Sequence, residues 1–211
     1  MVGIIKKNDF IFQKIVKAGR VEGVNALEQQ KAREWYRNKA KEIKTVNINR
    51  VLEKAPEYRL KSTMSENMIG EMFLFQYDAK WKKELPYYDQ SPLIFPIGMQ
   101  GDGKFLGINL HYISFYRRAQ LMNALYSVAV REKNQIKKLA ISYSILKSVS
   151  EFAYFKPCVK SYLVDHVQSR FLRILPSEWD SALFLPLARF VGASQTKVWY
   201  DSNKIIRGEV I

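Results

Sequence analysis

The chain has few of the cysteine and histidine residues that stabilise zinc proteins and disulfide-bonded secreted proteins. It contains one cysteine, Cys158, so no internal disulfide can form and the fold does not depend on oxidation. His111 and His166 are its two histidines, too few with one cysteine for the short-spaced sets that bind zinc. We therefore expect a protein that folds in a reducing compartment, with no metal and no cofactor.

Motifs for enzymatic chemistry are also missing. No GxxxxGKS/T, GxGxxG or GxSxG pattern occurs, and these are the turns that hold phosphates or present a nucleophilic serine. Asp78, Glu84 and Asp89 are close in sequence, as a metal-dependent nuclease would need, but their spacing matches no nuclease motif. We interpret His111 and His166 as structural. The sequence therefore predicts a protein that is not an enzyme.

Long apolar runs are absent as well. No stretch approaches the roughly 18 uncharged apolar residues of a membrane-spanning helix, and lysines interrupt the apolar residues near the N-terminus. An amphipathic helix on a membrane surface is one interpretation of that stretch. We favour an arm that packs on the domain or on a neighbouring subunit, with no membrane partner. Its candidate partner-binding residues are Ile4, Ile5 and Phe12.

Positive charge is abundant and unevenly distributed. The net charge is +14. Lys and Arg outnumber Asp and Glu by 15 to 7 both in residues 1–63 and in residues 113–211, whereas residues 64–112 contain 4 basic and 6 acidic residues. Such a field raises encounter rates with polyanions such as nucleic acid. These shifts divide the chain into a basic N-terminal arm and helix (1–63), a small β domain (64–112) and a basic, mostly helical region packed on it (113–211).

The first segment contains a basic helix. Asn25 and Glu28 have the spacing of a capping box, and the helix they predict runs to about residue 44. Basic residues recur along it at spacings of four and three, which places them on one face. This face is either a DNA-binding surface or simply the solvated side of the helix. Its candidate residues are Arg33, Arg37, Lys41 and Lys44.

The middle segment changes to an alternating pattern. Met72 and Leu74 alternate with Phe73 and Phe75, which predicts a strand covered on both faces. Residues 92–97 and 105–110 are two further predicted strands, joined by a predicted turn at residues 101–103 (GDG). We therefore predict an α+β fold in which a small SH3-like antiparallel β-barrel or meander is flanked by N- and C-terminal helices. Between these strands, Tyr87 and Tyr88 form a candidate partner-binding loop.

The last segment returns to helical spacing. Helices are predicted from Ser114, from about residue 134, and from Pro157 through the stretch CVKSYLVDHVQ. These helices are followed by a predicted strand at residues 171–175 and a short helix that begins at residues 177–179. The last predicted helix is capped by Ser194. The first two of these helices add candidate DNA-binding residues, namely Arg117, Arg118, Lys137 and Lys138.

Three longer blocks carry a family resemblance. They are LPYYDQSPLIFPI, then GKFLGINLHYISFYRRAQLMNAL, and then FKPCVKSYLVDHVQSRFLRILPSEWDSALFLPLARFVGAS with VWYDS. Together they make the chain, from about Trp35 to Arg207, similar to virion proteins of contractile-tailed, T-even-like bacteriophages. The similarity is nearest to the DNA end protector and head-completion set.

The resemblance implies a non-enzymatic virion structural protein, assembled in the host cytoplasm. Such a protein would bind or protect packaged double-stranded DNA ends near the head-tail junction, or neck. It would contact other virion proteins and form a homo-oligomer in a symmetric particle. The alternative is a tail or baseplate component whose basic faces bind neighbouring subunits rather than DNA. No catalytic residues are carried over from the family.

Overall fold

A six-stranded antiparallel sheet with helices packed on one face forms the centre of the protein. The computed structural model describes residues 10–24, 29–129, 144, 148 and 153–209. Its α-helices are α1 (Ile11–Val21), α2 (Gln30–Glu42), α3 (Ile48–Glu53), α4 (Phe115–Ala129), α5 (Trp179–Phe184) and α6 (Gln195–Arg207). Its strands are β1 (Leu60–Lys61), β2 (Met72–Leu74), β3 (Tyr88–Asp89), β4 (Leu93–Met99), β5 (Lys104–Asn109), β6 (Val159–Leu163), β7 (Phe171–Ile174) and β8 (Phe190–Val191).

The sheet has the strand order β1-β7-β2-β4-β5-β6, and β3 pairs with β8 in a separate two-stranded ribbon. The hairpin between β4 and β5 turns at the predicted position. Gly101, Asp102 and Gly103 have φ values of 70°, 47° and 66°, the left-handed region that glycine adopts without a steric penalty. The turn prediction is therefore confirmed.

The predicted alternation along β2 is also confirmed. Met72 and Leu74 belong to the core between the sheet and the helices, whereas Phe73 and Phe75 belong to a second, aromatic core on the opposite face. All four side chains are fully buried. A strand that is covered on both faces needs large apolar residues at every position, because neither side meets water.

The sheet curls strongly around the aromatic core. Phe171 on β7 and Phe105 on β5 lie three strand positions apart, which is about 14 Å in a flat sheet. Their ring centroids are only 6.0 Å apart. Between the described residues, however, the edge strands β1 and β6 do not pair. The prediction of an α+β fold is confirmed. The described strands form no closed barrel, and the predicted SH3-like barrel is not confirmed.

The sheet also extends beyond residues 64–112, the predicted β domain. Strands β1, β6 and β7 come from the segments before and after it and pair with β7, β5 and β2. The central hairpin is thus local in sequence, while the outer strands are recruited from the flanks. The division of the chain into three domains stays a prediction.

One element prediction is wrong. The stretch after Pro157 forms β6 rather than a helix, and Pro157 itself lies within a 3-10 turn at Ala153–Cys158. Five residues of β6 pair in register with β5, and Tyr162 enters the aromatic core. Long-range pairing therefore overrides the local helical pattern, helped by the preference of Val159 and Tyr162 for strands.

The N-terminal helix is part of the domain. Phe12 and Ile15 are 0% and 4% exposed and belong to the core under the helices. This burial removes Phe12 from the candidate partner surface, because its ring is covered by its own chain. At the other end, Ser194 caps α6 as predicted, accepting a hydrogen bond from the Lys197 backbone N–H at 3.2 Å. The predicted capping box at residues 25–28 and most of the helix from residue 134 lie outside the described residues.

Candidate nucleic-acid interface

Half of the basic face predicted for α2 points into the protein. Arg33 and Arg37 are only 7% and 5% exposed. The Nε of Arg37 lies 2.5 Å from Asp180 Oδ1, and its Nη2 donates to Asn123 Oδ1 at 2.9 Å. A buried guanidinium needs such acceptors to offset its lost hydration. The structure therefore corrects the expectation that all four basic residues form one solvent-facing stripe.

Arg118 is likewise an internal residue. Its side chain is 1% exposed, and burial lowers its pKa to about 9. Its guanidinium donates to three backbone carbonyl oxygens, those of Ile113 at 3.0 Å, Leu183 at 2.6 Å and His111 at 3.2 Å. These bonds join the end of the sheet to α5, so Arg118 is placed to stabilise the fold rather than to contact a phosphate.

The remaining basic candidates are accessible or undescribed. Lys41 and Lys44 are exposed, and Arg117 is partly exposed with its Cζ 4.9 Å from the centroid of the Tyr154 ring. Lys137 and Lys138 lie outside the described residues, as do Ile4 and Ile5. Among the described candidates, Arg33 and Arg37 meet at Asn123 Oδ1 inside the protein, whereas Lys41, Lys44 and Arg117 remain accessible.

Tyr87 and Tyr88 do not project from an open loop as predicted. Tyr88 is 7% exposed, and its hydroxyl donates to Asp78 Oδ1 at 3.1 Å. Tyr87 is partly buried, and this burial, together with the neighbouring Asp201 carboxylate, raises its pKa to about 12. Both rings are held in place by their own chain, and both line a cavity.

That cavity has a volume of about 330 Å³. We call it the aromatic pocket. It is lined by six aromatic side chains and three lysines, which are Tyr77, Trp81, Tyr87, Tyr88, Tyr112, Tyr162, Lys80, Lys104 and Lys160. Trp81, at the edge of the pocket, is 56% exposed, whereas Tyr162 and Tyr112 are 4% and 5% exposed. The pocket thus combines rigid buried rings with one accessible ring.

Elements that are distant in sequence build the aromatic pocket. Strand β6 supplies Lys160 and Tyr162, β5 supplies Lys104, and the ribbon of β3 and β8 supplies Tyr88. The loop of residues 78–87 supplies Trp81. This loop is closed on itself, because the backbone N–H groups of Glu84 and Leu85 both donate to the Trp81 carbonyl at 2.9 Å.

The three lysines of the pocket make no ion pair with any carboxylate among the described residues. Lys160 is partly buried, its Nζ lies 4.1 Å from the centroid of the Tyr112 ring, and burial lowers its pKa. Lys80 and Lys104 are exposed, and Lys80 Nζ lies 5.1 Å from the Trp81 ring. An anion could therefore bind to these ammonium groups without first breaking an ion pair with a carboxylate.

The carboxylate that borders the pocket is hydrogen-bonded from within the protein. Asp89 Oδ1 accepts from the backbone N–H groups of Ser91 at 3.0 Å and Arg189 at 3.1 Å. Its Oδ2 accepts from Asn109 Nδ2 at 3.0 Å and lies 2.6 Å from His111 Nδ1. Asp89 is 2% exposed and His111 is fully buried, which supports the interpretation of this histidine as structural.

The charges of this pair follow from their surroundings. Burial raises the pKa of Asp89, but the contact with His111 and the hydrogen bonds from Asn109 and Arg189 outweigh it, so that the pKa lies below its usual value. Burial lowers the pKa of His111, and the neighbouring carboxylate only partly offsets this effect. At neutral pH the pair is therefore a carboxylate that accepts a hydrogen bond from a neutral imidazole.

The described residues offer little for catalysis. No group of three or more His, Cys, Asp or Glu side chains among them is arranged to hold a metal ion. Cys158 is buried, and burial raises the pKa of its thiol to about 12, so the nucleophilic thiolate is scarce. None of the described helices is long and apolar enough to cross a membrane. The aromatic pocket is therefore suited to binding, because its lysines can contact an anion and its rings can stack on a planar group.

Sequence reasoning missed the residues that matter most in this pocket. The sequence patterns did not indicate Lys80, Trp81, Lys104 or Lys160 as candidate binding residues. A signal was present, since every basic residue of segment 64–112 is either in the loop around Trp81 or at Lys104. The net negative charge of that segment obscured this local cluster.

Comparison with known proteins identifies a family. A family model of the phage T4 terminal DNA protecting protein matches residues 4–208. This range includes the helices, the sheet and the aromatic pocket, so the match concerns the whole fold. No curated protein and no solved structure matches the chain.

Proposed function

Because the chain belongs to the phage T4 terminal DNA protecting protein family, we propose that it shields DNA ends by occupying them and not by any catalytic step. Family membership implies a phage-associated protein that binds DNA ends and other phage proteins. The finer proposal is that it sits at the termini of packaged DNA near the head-tail junction of the virion. The family match carries this proposal.

The charge of the chain supports it. A net charge of +14 provides the sequence-independent attraction that a protein needs in order to act on ends of any sequence. Phosphate contacts of this kind position a protein on DNA without reading its bases. Lys41, Lys44 and the aromatic pocket lysines are exposed or partly exposed and can contribute to it.

A protein that protects a DNA end by binding to it needs to form a stable complex, and it needs no catalytic group. The buried polar residues around Asp89 are hydrogen-bonded to one another, and the Cys158 thiol is kept protonated. These features suit a rigid binding protein. The family concerns DNA termini, which favours this function over the alternative of a tail or baseplate component. A symmetric homo-oligomer stays a prediction.

Exonuclease digestion tests the proposal. A short and a long blunt-ended linear duplex are mixed with increasing protein. They are then exposed to an exonuclease that degrades duplex DNA both from blunt ends and from nicks. We expect both duplexes to become resistant at the same small number of protein molecules per DNA end. A nicked circular duplex serves as the control, because it has a strand break but no blunt terminus, and it should not be protected at that ratio.

Two outcomes would contradict the proposal. If resistance required protein in proportion to duplex length, the protein would be a general coat and not an end protector. If the protein alone shortened or nicked the DNA, occupancy would not be its mode of action.

A further inference from the structure

We propose that the aromatic pocket receives the terminal nucleotide of a DNA strand, with its base against the Trp81 ring and its phosphate against the three pocket lysines. The proposal rests on the proposed function and specifies where on the protein a DNA end is held. The duplex itself would then lie outside the pocket.

The dimensions of the pocket fit one nucleotide. Its volume of about 330 Å³ is at the lower end of the range of about 300–1,000 Å³ that is typical of small-molecule sites. A duplex is too wide to enter such a cavity, whereas one splayed nucleotide is of the right order. Its inner surface is made of buried rings, Tyr162 and Tyr112 among them, that cannot move aside easily. The pocket is therefore already formed before a ligand arrives.

The chemistry of the lining separates into two parts. Trp81, 56% exposed, offers an aromatic face on which any base can stack, since every base has a π-face. Lys160 has no carboxylate partner among the described residues, and it is held beside the Tyr112 ring. A partly buried ammonium in this state is stabilised when an anion approaches, because the anion replaces lost hydration. Three ammonium groups outnumber the single lining carboxylate, Asp89, whose oxygens are already occupied.

A pocket that takes one nucleotide selects DNA ends on energetic grounds. A nucleotide must be unstacked and unpaired to enter, and the cost is lowest where the base is already poorly held. The terminal nucleotide stacks on one neighbour only, whereas an internal one is held from both sides. The same pocket would therefore bind a terminus and reject the middle of a duplex, which is the selectivity that an end-protecting protein needs.

The test compares two DNAs with the same duplex sequence. One is linear with open blunt ends, and the other is closed into a covalently sealed circle, so that it has neither a terminus nor unpaired loop nucleotides. Binding of the full-length protein to each is measured by fluorescence anisotropy for the wild type, Trp81→Ala and Lys160→Gln. The matched controls are Tyr58→Ala and Lys61→Gln. Tyr58 is 68% exposed, and both residues lie at or next to β1, at the edge of the sheet opposite β6.

We expect Trp81→Ala to weaken binding to the open duplex by roughly 5- to 150-fold, the range that loss of one stacked base produces. Lys160→Gln should weaken it as well, while both variants bind the closed duplex as the wild type does. Tyr58→Ala and Lys61→Gln should leave the preference for open ends unchanged. Trp81→Phe keeps a ring and should retain most of the binding, which separates stacking from misfolding.

The outcomes distinguish this inference from the proposed function. Equal binding of open and closed duplexes by the wild type would overturn both. A wild-type preference for open ends that survives in Trp81→Ala and Lys160→Gln would overturn the pocket alone. Tighter binding of a free deoxynucleoside monophosphate than of the open duplex would overturn the assignment of the pocket to DNA ends.

Discussion

At the scale of single residues, Asp89 is the side chain on which the wall of the aromatic pocket depends. Its two oxygens accept four hydrogen bonds, from Ser91, Arg189, Asn109 and His111. We expect Asp89→Ala to lower the free energy of unfolding by about 3–5 kcal/mol, because it leaves buried donors without an acceptor. Urea unfolding followed by circular dichroism measures this loss.

The matched control for that prediction is Asp165→Ala. Asp165 is exposed and makes no ion pair with the described residues, so its replacement should change the stability by no more than about 0.5 kcal/mol. If Asp89→Ala were no more destabilising than Asp165→Ala, the network around Asp89 would not have the structural role assigned to it.

Residue types alone could not reveal which basic residues are available to DNA. Arg37 and Lys41 fall on the same predicted helix face, yet one guanidinium pairs with Asp180 and the other side chain is exposed. The difference arises from α5, which comes more than 130 residues later in the chain and packs on α2. A spacing rule describes one helix, whereas burial depends on what packs against it.

At the scale of elements, the ribbon of β3 and β8 positions the loop that carries Trp81. Gly192, directly after β8, has φ 88°, and a Cβ there would lie 2.6 Å from the Pro86 carbonyl oxygen. We expect Gly192→Ala to cost about 1–3 kcal/mol of stability through backbone strain. It should also weaken binding to open DNA ends, because Pro86 and Tyr87 must shift. Thermal unfolding and the anisotropy titration measure the two effects.

Gly98→Ala is the control for this element. Gly98 lies in β4 with an ordinary φ, and a Cβ there would meet no atom within 4 Å. Its substitution should leave stability and end binding near the wild-type values. Equal behaviour of the Gly192 and Gly98 variants would contradict the claim that the ribbon shapes the pocket.

Local elements were predictable where local rules decide them. The turn at Gly101 requires positive φ, and Ser194 supplies a side-chain oxygen to the first turn of α6, so both were predicted correctly. Strand β6 was missed because its pairing partner, β5, lies some 50 residues earlier in the chain. The open, curled form of the sheet could not be predicted for the same reason, since its outer strands come from both flanks.

At the scale of the whole molecule, charge and recognition are separate. Segments 1–63 and 113–211 carry the net positive charge, whereas most of the aromatic pocket comes from the segment with net negative charge. The long-range field attracts DNA of any kind and does not distinguish an end from the middle of a duplex. The pocket adds that distinction. We therefore expect both parts to be needed for the protection of termini.

Mapping the contact in intact particles tests the central claim most directly. Ultraviolet irradiation of purified virions would crosslink aromatic side chains of the protein to the DNA they touch, and sequencing would locate each adduct on the genome. The account predicts adducts confined to the terminal nucleotides, formed through Trp81 and the neighbouring pocket tyrosines. Adducts spread evenly along the genome, or no adduct at the termini, would contradict it.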